Sequence, residues 1–224
     1  LNEEVARSEQ VFGDSKRVVD SFAGSAVEKV ALARGEAIKF ANDFGNMFRG
    51  AGIAERQAAG LSTTFVQLGA DIASFSNLSI DEALTKLRAG LAGEIEPLRA
   101  IGFGFNDLEV QAKATQLGLR DVNGELTEGA KLQARIAVIL DKTKLAQGDL
   151  GRTSEGLANQ QRFLRAEAQE LREELGAQLQ PVFLDLVHSM RENLPAFGEL
   201  ASNLIPLLIS ALHALNPAAQ AFLN

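Results

Sequence analysis

The chain has 224 residues, which is enough for one or two domains and for a core that needs no covalent cross-links. It contains no cysteine, and this excludes disulfides, thiolate metal sites and cysteine nucleophiles. Its net charge of -7 argues against a nucleic-acid binder, because such binding needs clustered Lys and Arg. The aromatic residues are 13 Phe with no Tyr or Trp, so buried contacts must come mainly from Leu, Ala, Ile, Val and Phe.

Neither end of the sequence carries a targeting or membrane-spanning pattern. The stretch from Leu1 to Gln10 is acidic and has no apolar centre, so no signal peptide is predicted. The most apolar segment, Leu204–Leu215, is interrupted by Pro206 and is shorter than a spanning helix requires. Because the chain opens with Leu rather than Met, we expect it to be a fragment, a processed product or the ordered part of a longer protein.

The first part of the chain has helical periodicity. Apolar residues three and four positions apart predict helices over Ser15–Val30, Glu36–Arg49 and Ala54–Phe75. Gly35 separates the first two, and Gly50–Gly52 is typical of a helix end.

A helix-start signal follows. Ser79 is a suitable N-cap for a helix over Ile80–Leu91, with Glu82 as its capping-box partner. Gly93 and Pro97 end that helix.

The segments that follow are shorter. Asn106 can cap a helix over Asp107–Leu117. The Asn123-Gly124 pair is a type I′ turn signal, and it predicts at most one tiny β-hairpin across residues 119–127. A further helix is expected over Ala130–Gln147, followed by a linker over Gly148–Thr153.

From Ser154, which is expected to cap a long helix, apolar or small residues recur with a seven-residue period. The pattern has two polar members, Gln161 and Gln178, and its flanks are rich in Arg and Glu. We call its apolar members the seam: Leu157, Leu164, Ala168, Leu171, Leu175 and Val182. The pattern fits an oligomeric coiled coil and packing against the preceding domain equally well.

These elements predict an all-α fold in three parts. Residues 1–150 form a compact multi-helix domain, residues 154–194 a long heptad-patterned helix, and residues 195–224 an apolar helical tail interrupted by prolines. Pro181 is expected to bend or interrupt the long helix.

No residue pattern predicts a catalytic, cofactor or metal site. His188 and His213 are too far apart to form a helical pair of metal ligands. Gly102–Phe105 lacks the third glycine and the preceding strand of a nucleotide-binding loop. Asp121–Glu125 has its glycine at the wrong position for a calcium loop. The chain is therefore expected not to be an enzyme.

Short motifs in a fixed order resemble the front part of tail tape measure proteins of long-tailed bacteriophages and prophages. The resemblance extends from about Asp20 to about Leu186. The matching motifs are Phe40–Phe48, Gly52–Glu55, Ala59–Thr64, Leu68–Phe75, Asp81–Leu84, Leu87–Leu91, Gly93–Glu94, Glu96–Arg99, Gln147–Asp149, Arg152–Ser154 and Leu157–Gln161.

This resemblance implies a structural protein that lies in the lumen of the phage tail, sets its length and leaves ahead of the DNA. It also implies synthesis in the bacterial host cytoplasm and association of parallel copies. The implied partners are the tail tube protein, tail assembly chaperones and, after ejection, the host membrane. The acidic composition fits a protein that does not grip DNA in the same tube.

Two alternatives from other classes remain open. Some tape measure proteins carry a peptidoglycan-degrading module, which would need a catalytic Glu in a cleft or a metal-bound His set. A membrane-active tail component would rest on the apolar segment from Leu204 to Phe222.

Overall fold

The structure, a computed structural model, describes residues 2–119 and 126–192, with side chains up to residue 189. All regular structure in this part of the chain is helical, which confirms the all-α prediction at that level. The helices are α1 Asn2–Phe12, a 3-10 turn Gly13–Ser15, α2 Lys16–Ala23, α3 Ala26–Val30, α4 Arg34–Gly50, α5 Glu55–Phe75, α6 Ile80–Ala92, α7 Glu96–Arg99, α8 Asp107–Gln116, α9 Glu128–Lys142, α10 Asp149–Arg152 and α11 Leu157–Glu192.

Helix α5 lies at the centre of the packing, since it contacts α1, α2, α3, α4, α6 and α10. Its Phe65 ring packs against Phe44 and Phe48 of α4, with ring centroids 5.5 and 5.7 Å away, and all three rings are fully buried. Small residues allow the close approach of the next helix, because a Cβ on Gly69 would lie 2.2 Å from Leu84 Cδ2 of α6. The core is therefore built from Phe, Leu, Ile, Val and Ala, as the composition predicts.

Two predicted helix starts are confirmed by their capping bonds. The Ser79 hydroxyl accepts the Glu82 backbone N–H at the start of α6. Asn106 and Glu109 cap each other's backbone N–H groups at the start of α8. These caps satisfy N–H groups that have no partner within their own helix.

Other local predictions were wrong. The break predicted at Gly35 lies instead at residues 31–33, and Gly35 is the second residue of α4. The predicted linker over Gly148–Thr153 contains α10, whose Leu150 is fully buried. The long helix begins at Leu157 rather than directly after Ser154.

The chain divides into two units, one of residues 1–173 and the other of residues 174–224. The first contains α1 to α10 together with the first half of α11. The described residues of the second unit belong to α11, which passes through Pro181 without a break. The side chains of residues 174–189 are exposed. The domain boundary predicted near residue 150 stays a prediction, although α11 contributes to the first unit up to Glu173.

Some predictions fall outside the described residues. They concern the turn of the β-hairpin at Asn123-Gly124 and the apolar tail over 195–224. Among the helices that the structure does describe, none is long and apolar enough to cross a membrane.

Candidate functional site: the clasp on the long helix

The first half of α11 packs through one face against helices α1 to α10 and their connections, which we call the compact unit. Along this face Ala166 is 3% exposed and Asn159 is 4% exposed, while Phe163 packs against the core. Glu170 and Glu173 extend the same stripe and bond to α4. The spacing of four and three residues along the stripe keeps all five on one side of the helix. We call this stripe the docked face.

Two glutamates of the docked face bind the N-terminus of α4. Glu170 Oε2 accepts the Arg34 backbone N–H at 2.5 Å, and Glu173 Oε2 accepts the Gly35 backbone N–H at 2.9 Å. The first N–H groups of a helix have no partner inside the helix and carry a partial positive charge, so carboxylates are favourable there. Gly35 makes the approach possible, because a Cβ at this position would lie 2.7 Å from Glu173 Oε2.

An arginine of α11 binds the C-terminal end of α5 in a complementary way. The Arg162 guanidinium donates to the carbonyl oxygens of Ala73 at 3.2 Å and Leu78 at 2.9 Å. It also donates to Asn159 Oδ1 at 2.6 Å on its own helix. A cation is favourable at this end, because the last carbonyls of a helix carry a partial negative charge. Partial burial lowers the pKa of Arg162 from its ordinary value, with nearby Arg165 as a further cause.

Arg162, Glu170 and Glu173 together form what we call the clasp. One cation sits at a helix C-terminus and two anions sit at a helix N-terminus, so both ends of the contact match the helix dipoles. The clasp positions α11 through backbone groups of the compact unit rather than through a large apolar surface.

A network of hydrogen bonds holds α10 and the first turn of α11 against α5. Asp71 of α5, 3% exposed, accepts the backbone N–H groups of Gly148 at 2.8 Å and Leu150 at 3.3 Å, and so caps α10. Burial raises the pKa of Asp71, and these hydrogen bonds act in the opposite direction. Asn159 then donates to Ser74 Oγ at 2.9 Å, which ties the first turn of α11 to α5.

Up to Leu171, the seam lies on the opposite side of α11 from the docked face, roughly 120–180° around the helix axis. Its leucines are exposed in the isolated chain: Leu157 is 76%, Leu164 66%, Leu171 56% and Leu175 49% exposed. Ala168 is also exposed, and Val182 is 64% exposed. Up to Leu171, the seam therefore does not pack against the compact unit, and self-association through the seam stays a prediction.

A cleft of about 670 Å³ runs between one flank of α11 and the compact unit. Its α11 side carries Arg165 and Arg172, and its other side is formed by residues 31–32 and 77–79 together with residues of α4 and α6. Both arginines are exposed. The cleft leaves room beside the seam on this flank.

Sequence reasoning placed the clasp residues on the flanks of the seam and gave them no role. Their partners are backbone N–H groups of α4 and backbone carbonyls at and just after the end of α5. Every residue type has such groups, so the sequence does not identify these partners. Within 2–119 and 126–192, no cluster of His, Asp and Glu is placed to hold a metal ion. Comparison with protein-family models, curated proteins and solved structures gave no match to this chain.

Proposed function

We propose that this chain is a structural component of a bacteriophage or prophage tail, of the tape measure type, which works through its long helix. The observation that carries the proposal is the arrangement of α11: its docked face is clasped to the compact unit, while its seam is left exposed. An exposed heptad stripe is favourable only when it is covered by a partner. The ordered motifs that resemble tape measure proteins supply the biological setting.

Helix is a suitable material for a length-setting protein, because each residue adds about 1.5 Å and the backbone satisfies its own hydrogen bonds. Helix α11 has 36 residues and so spans about 54 Å. In the proposed setting, copies of the chain associate through the seam inside the tail lumen. The tail tube protein assembles around them, assembly chaperones protect them before that stage, and host membrane is contacted after ejection.

The experiment is an in-frame deletion of residues 157–192 in the phage or prophage that encodes the chain, with tail length measured by electron microscopy. The proposal predicts tails that are absent, or shorter by about 54 Å or more for the helix removed. Tails of unchanged length that still contain the deleted protein would contradict it. The Leu108→Asp variant, at a leucine of α8 that is 74% exposed and outside the long helix, is the control for assembly in general.

A further inference from the structure

The cleft along the first half of α11 carries an excess of positive charge. Its charged lining consists of four cations and two carboxylates: Lys39, Arg162, Arg165, Arg172, Glu36 and Asp81. The chain as a whole has a net charge of -7, so this concave surface has the opposite sign. A cleft lined by charge of one sign concentrates its field and attracts ligands of the other sign.

Three of these cations have no carboxylate partner among the described residues. The side chains of Lys39, Arg165 and Arg172 are exposed, and none of the ion pairs in the described part of the chain includes them. Lys39 instead lies over the Phe40 ring, with its Nζ 5.5 Å from the ring centroid. All three are therefore available to a ligand.

Two of the other charged groups are already engaged. Arg162 donates to the carbonyl groups at the end of α5, and Glu36 accepts a backbone N–H at the start of its own helix. Asp81, in the first turn of α6, is then the one carboxylate of the cleft that faces three uncommitted cations. The ligand that this balance favours is an anion.

The spacing of the arginines indicates the shape of the ligand. Arg165 and Arg172 line the same flank of α11 and are seven residues apart, which is about 10.5 Å along the helix axis. In a polyproline II chain, side chains three residues apart share a face and are separated by about 9 Å. A helix of 10–12 Å diameter would fill about 800–1,200 Å³ over the same length, more than the 670 Å³ of the cleft.

The uncharged lining fits a peptide better than a nucleic acid. The floor is apolar and nearly buried, and it is formed by Ala31, Leu32, Phe40, Ile80 and Ala166. The single aromatic ring of this lining, Phe40, is only 5% exposed, so it offers no platform on which a base can stack. Asn77, Gln161 and Gln169 provide side-chain amides, which can donate to and accept from a peptide backbone.

We infer that this cleft binds an extended acidic segment of a partner protein. Two carboxylates of the segment, three residues apart, pair with Arg165 and Arg172, and the small apolar residues between them lie on the floor. The planar guanidinium group suits this role because it can bond both oxygens of a carboxylate. The cleft shares only Ala168 with the seam, so the inference does not depend on the proposed function.

Fluorescence polarisation with a labelled peptide tests the inference. The probe is a fluorescein-labelled peptide of roughly ten residues with Glu at every third position and Ala or Leu between them. At about 50 mM salt it should bind the whole chain about tenfold more tightly than the same peptide with Gln in place of Glu. Raising the salt to about 300 mM should weaken the binding, because the ion pairs are screened. Equal affinity for the two peptides, or no saturable binding of either, would overturn the inference.

Substitutions in the cleft test where the peptide binds. Arg165→Gln and Arg172→Gln should each weaken binding of the acidic peptide about threefold, and together about tenfold, because each removes one exposed ion pair. Arg17→Gln, at an exposed arginine of α2 outside the cleft, is the matched control and should bind like wild type. The double variant Arg165→Glu, Arg172→Glu should prefer a peptide with Lys in place of Glu. Equal weakening by Arg17→Gln, or no preference for the lysine peptide, would contradict the assignment.

Two further arms separate this inference from its alternatives. A labelled single-stranded oligonucleotide or polyphosphate that binds more tightly than the acidic peptide would overturn the choice of a peptide ligand. Leu171→Asp should bind the peptide like wild type, because Leu171 does not line the cleft. Loss of peptide binding in that variant would show that the binding site needs the seam and would overturn the inference. Because the seam is altered in this arm, a failure of the seam and a failure of the cleft are distinguishable.

Discussion

Removal of the Arg162 guanidinium tests whether the clasp holds α11 on the compact unit. In Arg162→Met the long apolar stem is retained, but the donors to Ala73 and Leu78 are lost. The Ala73 carbonyl keeps a second partner, the Leu78 backbone N–H at 2.9 Å, whereas the Leu78 carbonyl loses its side-chain donor. A hydrogen bond to a charged group contributes about 1.5–3 kcal/mol, and partial exposure favours the lower end.

We therefore expect a loss of about 1.5 kcal/mol in the free energy of unfolding. For a unit of this size, 1 kcal/mol corresponds to about 2–4 °C, so the melting temperature should fall by about 3–6 °C. Calorimetry at fixed protein concentration measures this change. Hydrogen exchange of the amides in residues 157–173 should accelerate in the same variant, because the first half of α11 opens more often.

Arg165→Met is the matched control, since it removes the same charge one turn further along. With the residues that the structure describes, the Arg165 guanidinium makes no hydrogen bond or ion pair, so the melting temperature of Arg165→Met should differ from that of wild type by less than about 2 °C. Equal melting temperatures and equal hydrogen exchange over residues 157–173 in the two variants would show that Arg162 does not hold α11 on the compact unit.

Three further predictions concern the packing of α5, the buried carboxylate of Asp71 and catalysis. Gly69→Ala should destabilise the chain by about 1–3 kcal/mol, because its Cβ would lie 2.2 Å from Leu84 Cδ2; Gly60→Ala, in the same helix with open space around it, should stabilise by up to about 1 kcal/mol. A chemical denaturation series that ranks the two variants in the reverse order would contradict the packing described. Burial raises the pKa of Asp71 above 3.8, so the folded chain takes up this proton at higher pH than the unfolded chain. The ionisation of Asp71 thus lowers the free energy of unfolding as the pH rises through the raised pKa. The wild type should therefore gain stability relative to Asp71→Asn as the pH falls from about 7 to 4. A difference in urea midpoint between the two proteins that stays constant over this pH range would contradict this. The chain should show no peptidoglycan, phosphodiester or peptide hydrolysis, whereas turnover that disappears on Glu94→Gln would mark it as an enzyme.

Local signals explain which parts of the fold could be predicted. Helix α5 carries a continuous apolar stripe, and α6 and α8 each begin with a side chain that caps its own first turn. Periodicity and caps depend on neighbours a few residues away, so they can be read from the sequence. Leu150 shows the opposite case: the glycines around it indicate a linker, but the Asp71 cap holds the segment as a buried turn of helix.

The clasp could not be predicted for a related reason. Arg162 and Glu173 bond to backbone groups 89 and 138 residues away, and any residue supplies a backbone carbonyl or N–H. Only the tertiary arrangement brings these groups together. The seam was predicted from the sequence because a seven-residue period is a local pattern, but that pattern does not say which partner covers the seam. Leu164 and Leu171 are exposed in the structure, so the compact unit is not the partner that covers them.

Sedimentation equilibrium of the purified chain tests the central claim, that the exposed seam of α11 binds another copy. The wild-type chain should form a concentration-dependent oligomer. Leu171→Asp should remain monomeric, because an unpaired carboxylate in the interface is strongly unfavourable. Leu108→Asp, at a leucine that is 74% exposed in α8 and outside the seam, should associate like wild type. A wild-type chain that stays monomeric at high concentration, or a Leu171→Asp variant that associates as tightly as wild type, would contradict the claim.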